Sequence, residues 1–216
     1  MPVQKELSLM AHLMRRAGFG ADRKELEKRI AIGYEATVEE LINPEDYPQI
    51  DEDIMYRFMP GFDGATLVVN NGAAWMYRMV NSPRPLEEKM ALFLHQLFAT
   101  STSKVDNAPE LSAQFKMFRQ YGFGTFHNLL VELAKNPAMI FWLDNSGNHN
   151  GAINENWGRE LLELFSLGVG NYTEEDIKEA SRAFTGWTVP VKIPQQPLGR
   201  FYWSFEFRPE DHDDGE

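Results

Sequence analysis

The chain has 216 residues, 43% of them hydrophobic and 25% charged, enough for one well-packed core or for one domain and part of a second. Its formal net charge is −11, which argues against nucleic acid as a partner, because phosphate binding needs a basic face. The absence of cysteine removes disulfides, thiolate catalysis and Cys-ligated zinc, and no run of about 18 apolar residues marks a membrane span.

Hydrophobic periodicity then predicts a succession of helices. Residues 6–17 place Leu7, Met10, Leu13 and Met14 on one stripe and stop at Gly18. The N-terminus carries charges through this stretch and so does not read as a signal peptide; a cytoplasmic protein is expected, or an exported one whose start has been trimmed. Asp22 is placed to cap a second helix that Gly33 ends. Thr37 and Glu40 have capping-box spacing for a third, stopped by Asn43-Pro44. Residues 44–64, rich in Pro, Asp and Gly, predict a surface loop with one helical turn, and a helix follows from about Ala65 to Asn81. After the stiff Ser82-Pro83-Arg84-Pro85 break, a helix from Leu86 to about Thr100 carries Leu86, Met90, Phe93, Leu94 and Leu97 as its apolar stripe. His95 lies across from that stripe among apolar neighbours. It is either a hydrogen-bonded structural group or a general base or metal ligand.

Pro109 suits the first turn of a helix through Tyr121, and Thr125 caps another with Phe126, Leu129, Leu130 and Leu133 inside. Asn136-Pro137 opens a short apolar helix whose end delivers Asp144 into a polar loop. The stretch 144–168, D-N-S-G-N-H-N-G-A-I-N-E-N-W-G-R-E-L-L-E-L-F-S-L-G, carries the most polar chemistry. Asn154 reads as an N-cap. At about 100° per residue, Trp157, Leu161, Leu164 and Phe165 share one face, while Glu155, Arg159 and Glu163 lie opposite with Asn156 and Glu160 beside them. Gly168 closes the helix. Three acids against one base would raise a carboxylate's proton affinity or attract a cation. Counting Asp144 as position one, Ser146, Asn148, Asn150 and Glu155 fall at three, five, seven and twelve, the oxygen spacing of a calcium loop. His149 stands at position six, where that loop needs glycine.

Thr173 and Asp176 form a second capping box, for a helix running to about Thr185 and ending at Gly186. Arg182 on it is expected to counter Glu160 and Glu163 together with Arg159. Val189, Val191 and Ile193, then Phe201, Trp203, Phe205 and Phe207, alternate with period two and predict a hairpin with one apolar face. Pro190 confines its strand to an edge.

The 154–168 motif, N-E-N-x-x-R-E-L-L-E-L-F-S-L-G, resembles the signature of the bacterial domain-of-unknown-function 1800 family. R-R-A-G-F-G at 15–20, P-L-E-E-K-M-A-L-F-L-H at 85–95, F-A-T-S at 98–101, N-P-A-M at 136–139 and L-D-N at 143–145 are similar to that family in the same order. So are Y-T-E-E-D at 172–176, A-F-T-G-W at 183–187 and H-D-D-G-E at 212–216. The resemblance covers essentially the whole chain. It implies a largely helical fold, export signals in many relatives, and a further helical region after an H-D-x-G-x-K pattern. The chain thus resembles the N-terminal half of a member. His212 and Asp213, alone near the end, are expected to be disordered unless they serve as ligands or acid–base groups.

The expected fold is therefore mainly α, an irregular multi-helix bundle with a small β-hairpin near the C-terminus. A helical domain would span 1–186, and the hairpin with the truncated start of a following region 187–216. Two functions stand. In one, the 144–163 polar residues form a network that fixes a non-catalytic interaction or assembly module. The resemblance implies a sulfatase-like protein encoded nearby as partner. In the other, a hydrolase-like or metal-assisted enzyme uses Glu160 as general base, with His95 and Arg159 as further catalytic groups and Arg182, Asn156 and Glu163 around the substrate. Asp144, Asn148 and Glu155 would hold a divalent ion such as calcium.

Overall fold

The computed structural model describes residues 2–58, 68–190 and 203–215. Among them are eleven α-helices and one two-stranded antiparallel sheet, so the fold is mainly α with a small hairpin near the C-terminus. None of these helices is long and apolar enough to cross a membrane. Contacts divide the chain into two compact units. The first is Met1–Gln96 with Phe115–Thr125, and the second is Leu97–Gln114 with Phe126–Glu216.

In the first unit, helix α1 (Pro2–Arg16) buries Met10, Leu13 and Met14 against Leu26 of α2 (Arg23–Ile32) and Leu41 of α3 (Tyr34–Ile42). The stripe of α1 is the one its periodicity predicts. Asp22 caps α2 by accepting from the Glu25 N–H at 2.8 Å. The capping box at Thr37 is not formed. Gly33 interrupts the chain for a single residue, α3 starts directly at Tyr34, and Thr37 lies inside it, its buried hydroxyl donating to the Gly33 carbonyl at 2.7 Å. Residues 44–58 hold a 3₁₀ turn at Pro44–Asp46 and helix α4 (Glu52–Phe58); the rest of the expected loop lies outside the described residues.

Helix α5 (Val68–Asn81) and helix α6 (Pro85–Leu97) follow. The buried face of α6 is not the expected stripe. Glu88, Ala91 and Leu94 are buried, while Phe93 and Leu97 are each 51% exposed. A carboxylate can turn inward only if charge meets it there. Two guanidiniums do: Arg78 of α5 at 3.5 Å and Arg119 of α7 (Ala108–Tyr121) at 3.3 Å.

In the second unit, α8 (Phe126–Ala134) buries Leu129 and Leu133, but Phe126, expected inside, is 52% exposed. Asn136 caps α9 (Pro137–Trp142) by accepting from the Met139 N–H, and also accepts from the buried Gln114 amide, itself bonded to Thr100. Helix α10 (Asn156–Glu160) runs into a π-helical turn (Leu161–Ser166), and α11 (Glu174–Ala183) follows behind the complete Thr173/Asp176 capping box. Strand β1 (Trp187–Thr188) pairs with β2 (Glu206–Phe207), in the register Trp187 to Phe207 and Thr188 to Glu206. Val189 is buried, Trp203 packs on Phe141 at 4.7 Å, and Phe207 is 44% exposed. Val191, Ile193 and Phe201 of the expected hairpin lie outside the described residues.

Candidate functional site

Eight of the nine candidate residues belong to the second unit, and His95 belongs to the first. The second-unit site is built on the close approach of α10 to α11. A Cβ on Gly158 would stand 2.1 Å from the Ser181 hydroxyl and 3.0 Å from the Ile177 carbonyl, so only glycine lets the two helices meet here. Trp157, 2% exposed, lies in an aromatic chain with Phe165 (5.9 Å) and Phe184 (5.6 Å), and Phe184 continues to Trp187 (5.0 Å).

From Leu161 the helix widens. Leu167 donates to the Leu162 carbonyl at 3.0 Å, five residues back, and the Ser166 hydroxyl bonds the Leu161 carbonyl at 2.6 Å. The extra residue in this turn spoils the expected face. Phe165 stays buried at 9%, but Leu164 swings out to 67% exposure, with Leu167 and Val169 exposed beyond it. A regular 100° wheel cannot anticipate that rotation.

The polar loop before α10 is a knot tied by two asparagines. Asn148, 2% exposed, donates its amide to the Ser181 carbonyl at 2.8 Å and to the Asn145 side chain at 3.1 Å, while its oxygen accepts from the Asn154 N–H at 2.9 Å. Asn145, also buried, donates to the carbonyls of Trp187 (2.9 Å) and Phe184 (3.3 Å). Asp144 adopts the left-handed conformation (φ 59°) that asparagine and aspartate tolerate, and its carboxylate pairs with Lys104 at 2.7 Å. The N-cap position of α10 is Glu155, not Asn154 as expected; Asn154, one residue earlier, accepts from the Asn156 N–H at 3.0 Å, and Asn156 itself is exposed.

Arg159 reaches Glu155 at 3.0 Å and grips Glu174 with two nitrogens, at 2.8 and 3.1 Å. Arg182 pairs with Glu179 of its own helix and donates to the Gly215 carbonyl. The expectation that both arginines neutralise Glu160 and Glu163 is therefore corrected: nearer acids on α11 claim them, and among the described residues neither Glu160 nor Glu163 has an ion-pair partner. Glu163 instead accepts from the Tyr172 hydroxyl at 2.7 Å. Partial burial, reinforced by Glu163 and opposed by Arg159, holds the Glu160 carboxyl above the ordinary range. Among the candidates of this unit it is the carboxyl whose proton affinity its surroundings raise. Among the described residues no three His, Asp or Glu side chains gather as a metal site would need.

The described residues of the C-terminal motif, 212–215, are held by hydrogen bonds. The His212 Nδ1 lies 2.9 Å from the Thr185 carbonyl and 3.0 Å from its hydroxyl, and the Asp213 N–H donates to that hydroxyl at 2.8 Å. A carbonyl only accepts, so Nδ1 is the donor here, and Nε2 faces the Asp214 carboxylate at 3.6 Å. Buried Thr185 supplies the anchor that a free end was expected to lack. Gly186 (φ 75°) leaves room for the Arg208 carbonyl, which a Cβ would meet at 2.5 Å. The Asp211 carbonyl then accepts from the Asn150 N–H at 2.8 Å. Asn145, Ser181 and Thr185 were not among the expected site residues. Short polar side chains at helix ends are the only trace they leave in a sequence.

In the first unit, the His95 ring packs among Phe115 (4.8 Å), Trp75 (5.5 Å) and Phe118 (6.5 Å), and its buried Nδ1 has no hydrogen-bond partner among the described residues. Burial lowers its affinity for a proton.

Residues 12–216 match the family described as "Protein of unknown function (DUF1800)". No curated protein and no solved structure matches the chain.

Proposed function

The chain belongs to the DUF1800 family, and we propose that it acts as a non-catalytic interaction module, with the 144–163 polar network holding an apolar docking segment in place. One observation carries this reading. Most polar side chains of the stretch are engaged, either with one another or with Lys104, Tyr172, Glu174 and Ser181, while Leu164 in the π turn and Leu167 and Val169 just after it are 67, 52 and 76% exposed. Contiguous apolar exposure of this kind marks protein contact surfaces. The sulfatase-like protein that the family resemblance implies is the partner to test first.

The experiment is calorimetric titration of the chain with that protein, using the wild type and a Leu164→Glu/Val169→Glu variant. The module predicts saturable binding that the variant loses while its melting temperature stays within a degree or so of wild type, since neither side chain supports the core. Equal binding by both proteins would contradict it.

A second reading rests on Glu160. A half-buried carboxyl with raised proton affinity beside Glu163 is suited to general acid–base work, in a hydrolase-like enzyme. It predicts turnover of a simple ester or phosphomonoester that Glu160→Gln abolishes. Calcium bound by Asp144, Asn148 and Glu155 would first have to draw Asp144 from Lys104 and Glu155 from Arg159. Calcium titration of wild type and Glu155→Ala tests that step, because a site would lose its heat in the variant.

A further inference from the structure

The first unit holds a cavity of about 440 Å³ that the sequence does not announce. One wall is the end of α7, where Lys116, Arg119 and Gln120 fall at i, i+3 and i+4, continued by Phe123 in the turn just after the helix. Arg78 and Arg84 enter from the α5 end and the α5–α6 break, and Ile50 adds an apolar surface. Four cationic side chains thus converge in a chain whose net charge is −11. The carboxylates on the lining, Glu45 and Glu87, and the buried Glu88 beneath it do not match them in number.

The guanidiniums are held in place before any ligand arrives. Glu88, fully buried, is shared by Arg78 and Arg119. Arg84 donates its Nε to the Tyr47 carbonyl at 2.9 Å and meets Glu87 at 3.4 Å. Burial and the neighbouring Arg119 loosen the hold of Arg78 on its proton, as expected where cations are crowded together. Of the five N–H donors of Arg119, one is engaged, by Glu88, among the described residues. Lys116 is exposed and has no ion pair among them. Free donors on a fixed fork, next to a free ammonium, are the equipment for a carboxylate or phosphate. The volume suits a small organic molecule, and Phe123 with Ile50 offers its apolar part a surface.

We propose that this cavity binds a small organic anion, a carboxylate or phosphate headgroup on a short apolar body, gripped by Arg119 and Lys116. The proposal does not depend on the function of the second unit.

The test is isothermal calorimetry at low ionic strength with three probes: benzoate, phenyl phosphate and inorganic phosphate. Wild type should bind at least one of them at a single site, and Lys116→Glu should weaken that binding about ten-fold or more. Gln120→Ala should weaken it less. Lys24→Glu, a charge reversal at an exposed lysine of α2 outside the cavity, should leave it unchanged. Lys116 and Gln120 are exposed, so all three variants should melt like wild type. The best-bound probe identifies the headgroup and whether the apolar body matters. No saturable binding of any probe, or binding indifferent to Lys116→Glu, overturns the proposal.

Discussion

His95 shows what burial does to a single titratable group. Packed among Trp75, Phe115 and Phe118, with an unpartnered Nδ1, its imidazole is kept neutral in the folded chain. In the unfolded chain it takes up a proton near its ordinary pKa of about 6.5. The folded pKa is depressed, so the unfolded state binds more protons below that value. The contribution of His95 is complete above pH about 6.5 and is lost as the pH falls through the window beneath it. Thermal melts between about pH 7.5 and 5.5 should show a falling midpoint, and His95→Phe should flatten the fall. An undiminished slope in the variant would place the acid sensitivity elsewhere. The sequence showed apolar residues beside His95 on its own helix, but not the rings of Trp75, Phe115 and Phe118 that enclose it. The charge environment of Glu88, seven residues earlier on the same helix, was not legible either, because its partners Arg78 and Arg119 lie 10 and 31 positions away.

At the scale of elements, the α10–α11 crossing sets the geometry of the whole 144–186 region. Gly158→Ala would drive a methyl group into the Ser181 hydroxyl and the α11 backbone. Overpacking of this kind costs about 1–3 kcal/mol, and contact with backbone places this site at the upper end. Urea unfolding should show a midpoint lowered accordingly, and a midpoint equal to wild type would mean that the helices do not pack at this distance. Helix positions were readable from caps and glycine stops: Asp22, Asn136 and the Thr173/Asp176 box all act as their spacing predicts. Helix faces were less readable. Leu164 was misplaced because a π turn changes the periodicity, and Phe93 and Leu97 because a paired Glu88 takes the inner side. Periodicity records which residues are greasy; it does not record which polar residue finds a partner across space.

Across the whole molecule, the order and spacing of the motifs were enough to identify the family, and their helix signals to give a mainly α fold with a small hairpin. The functional content was harder to read, because residues clustered in the sequence diverge in space. Arg159 turns to Glu174, Arg182 to Glu179 and Asp144 to Lys104, and each bond removes a candidate from the acid-rich group that the helical wheel assembles. What remains is a second unit whose loop, helix end and C-terminal turn are tied through Asn145, Asn148 and Thr185. On the reading proposed above, this network supports an exposed apolar segment, and Asn148 makes three side-chain hydrogen bonds within it. Urea unfolding of Asn148→Ala measures that support. Truncation removes one of the two donors to the Ser181 carbonyl and leaves the Asn145 side-chain oxygen and the Asn154 N–H without a partner, at a cost of about 3 kcal/mol, which a lowered midpoint at unchanged slope would report. An unchanged midpoint would show that Asn148 is dispensable to the fold, and its place in the motif would then call for a reaction or a ligand.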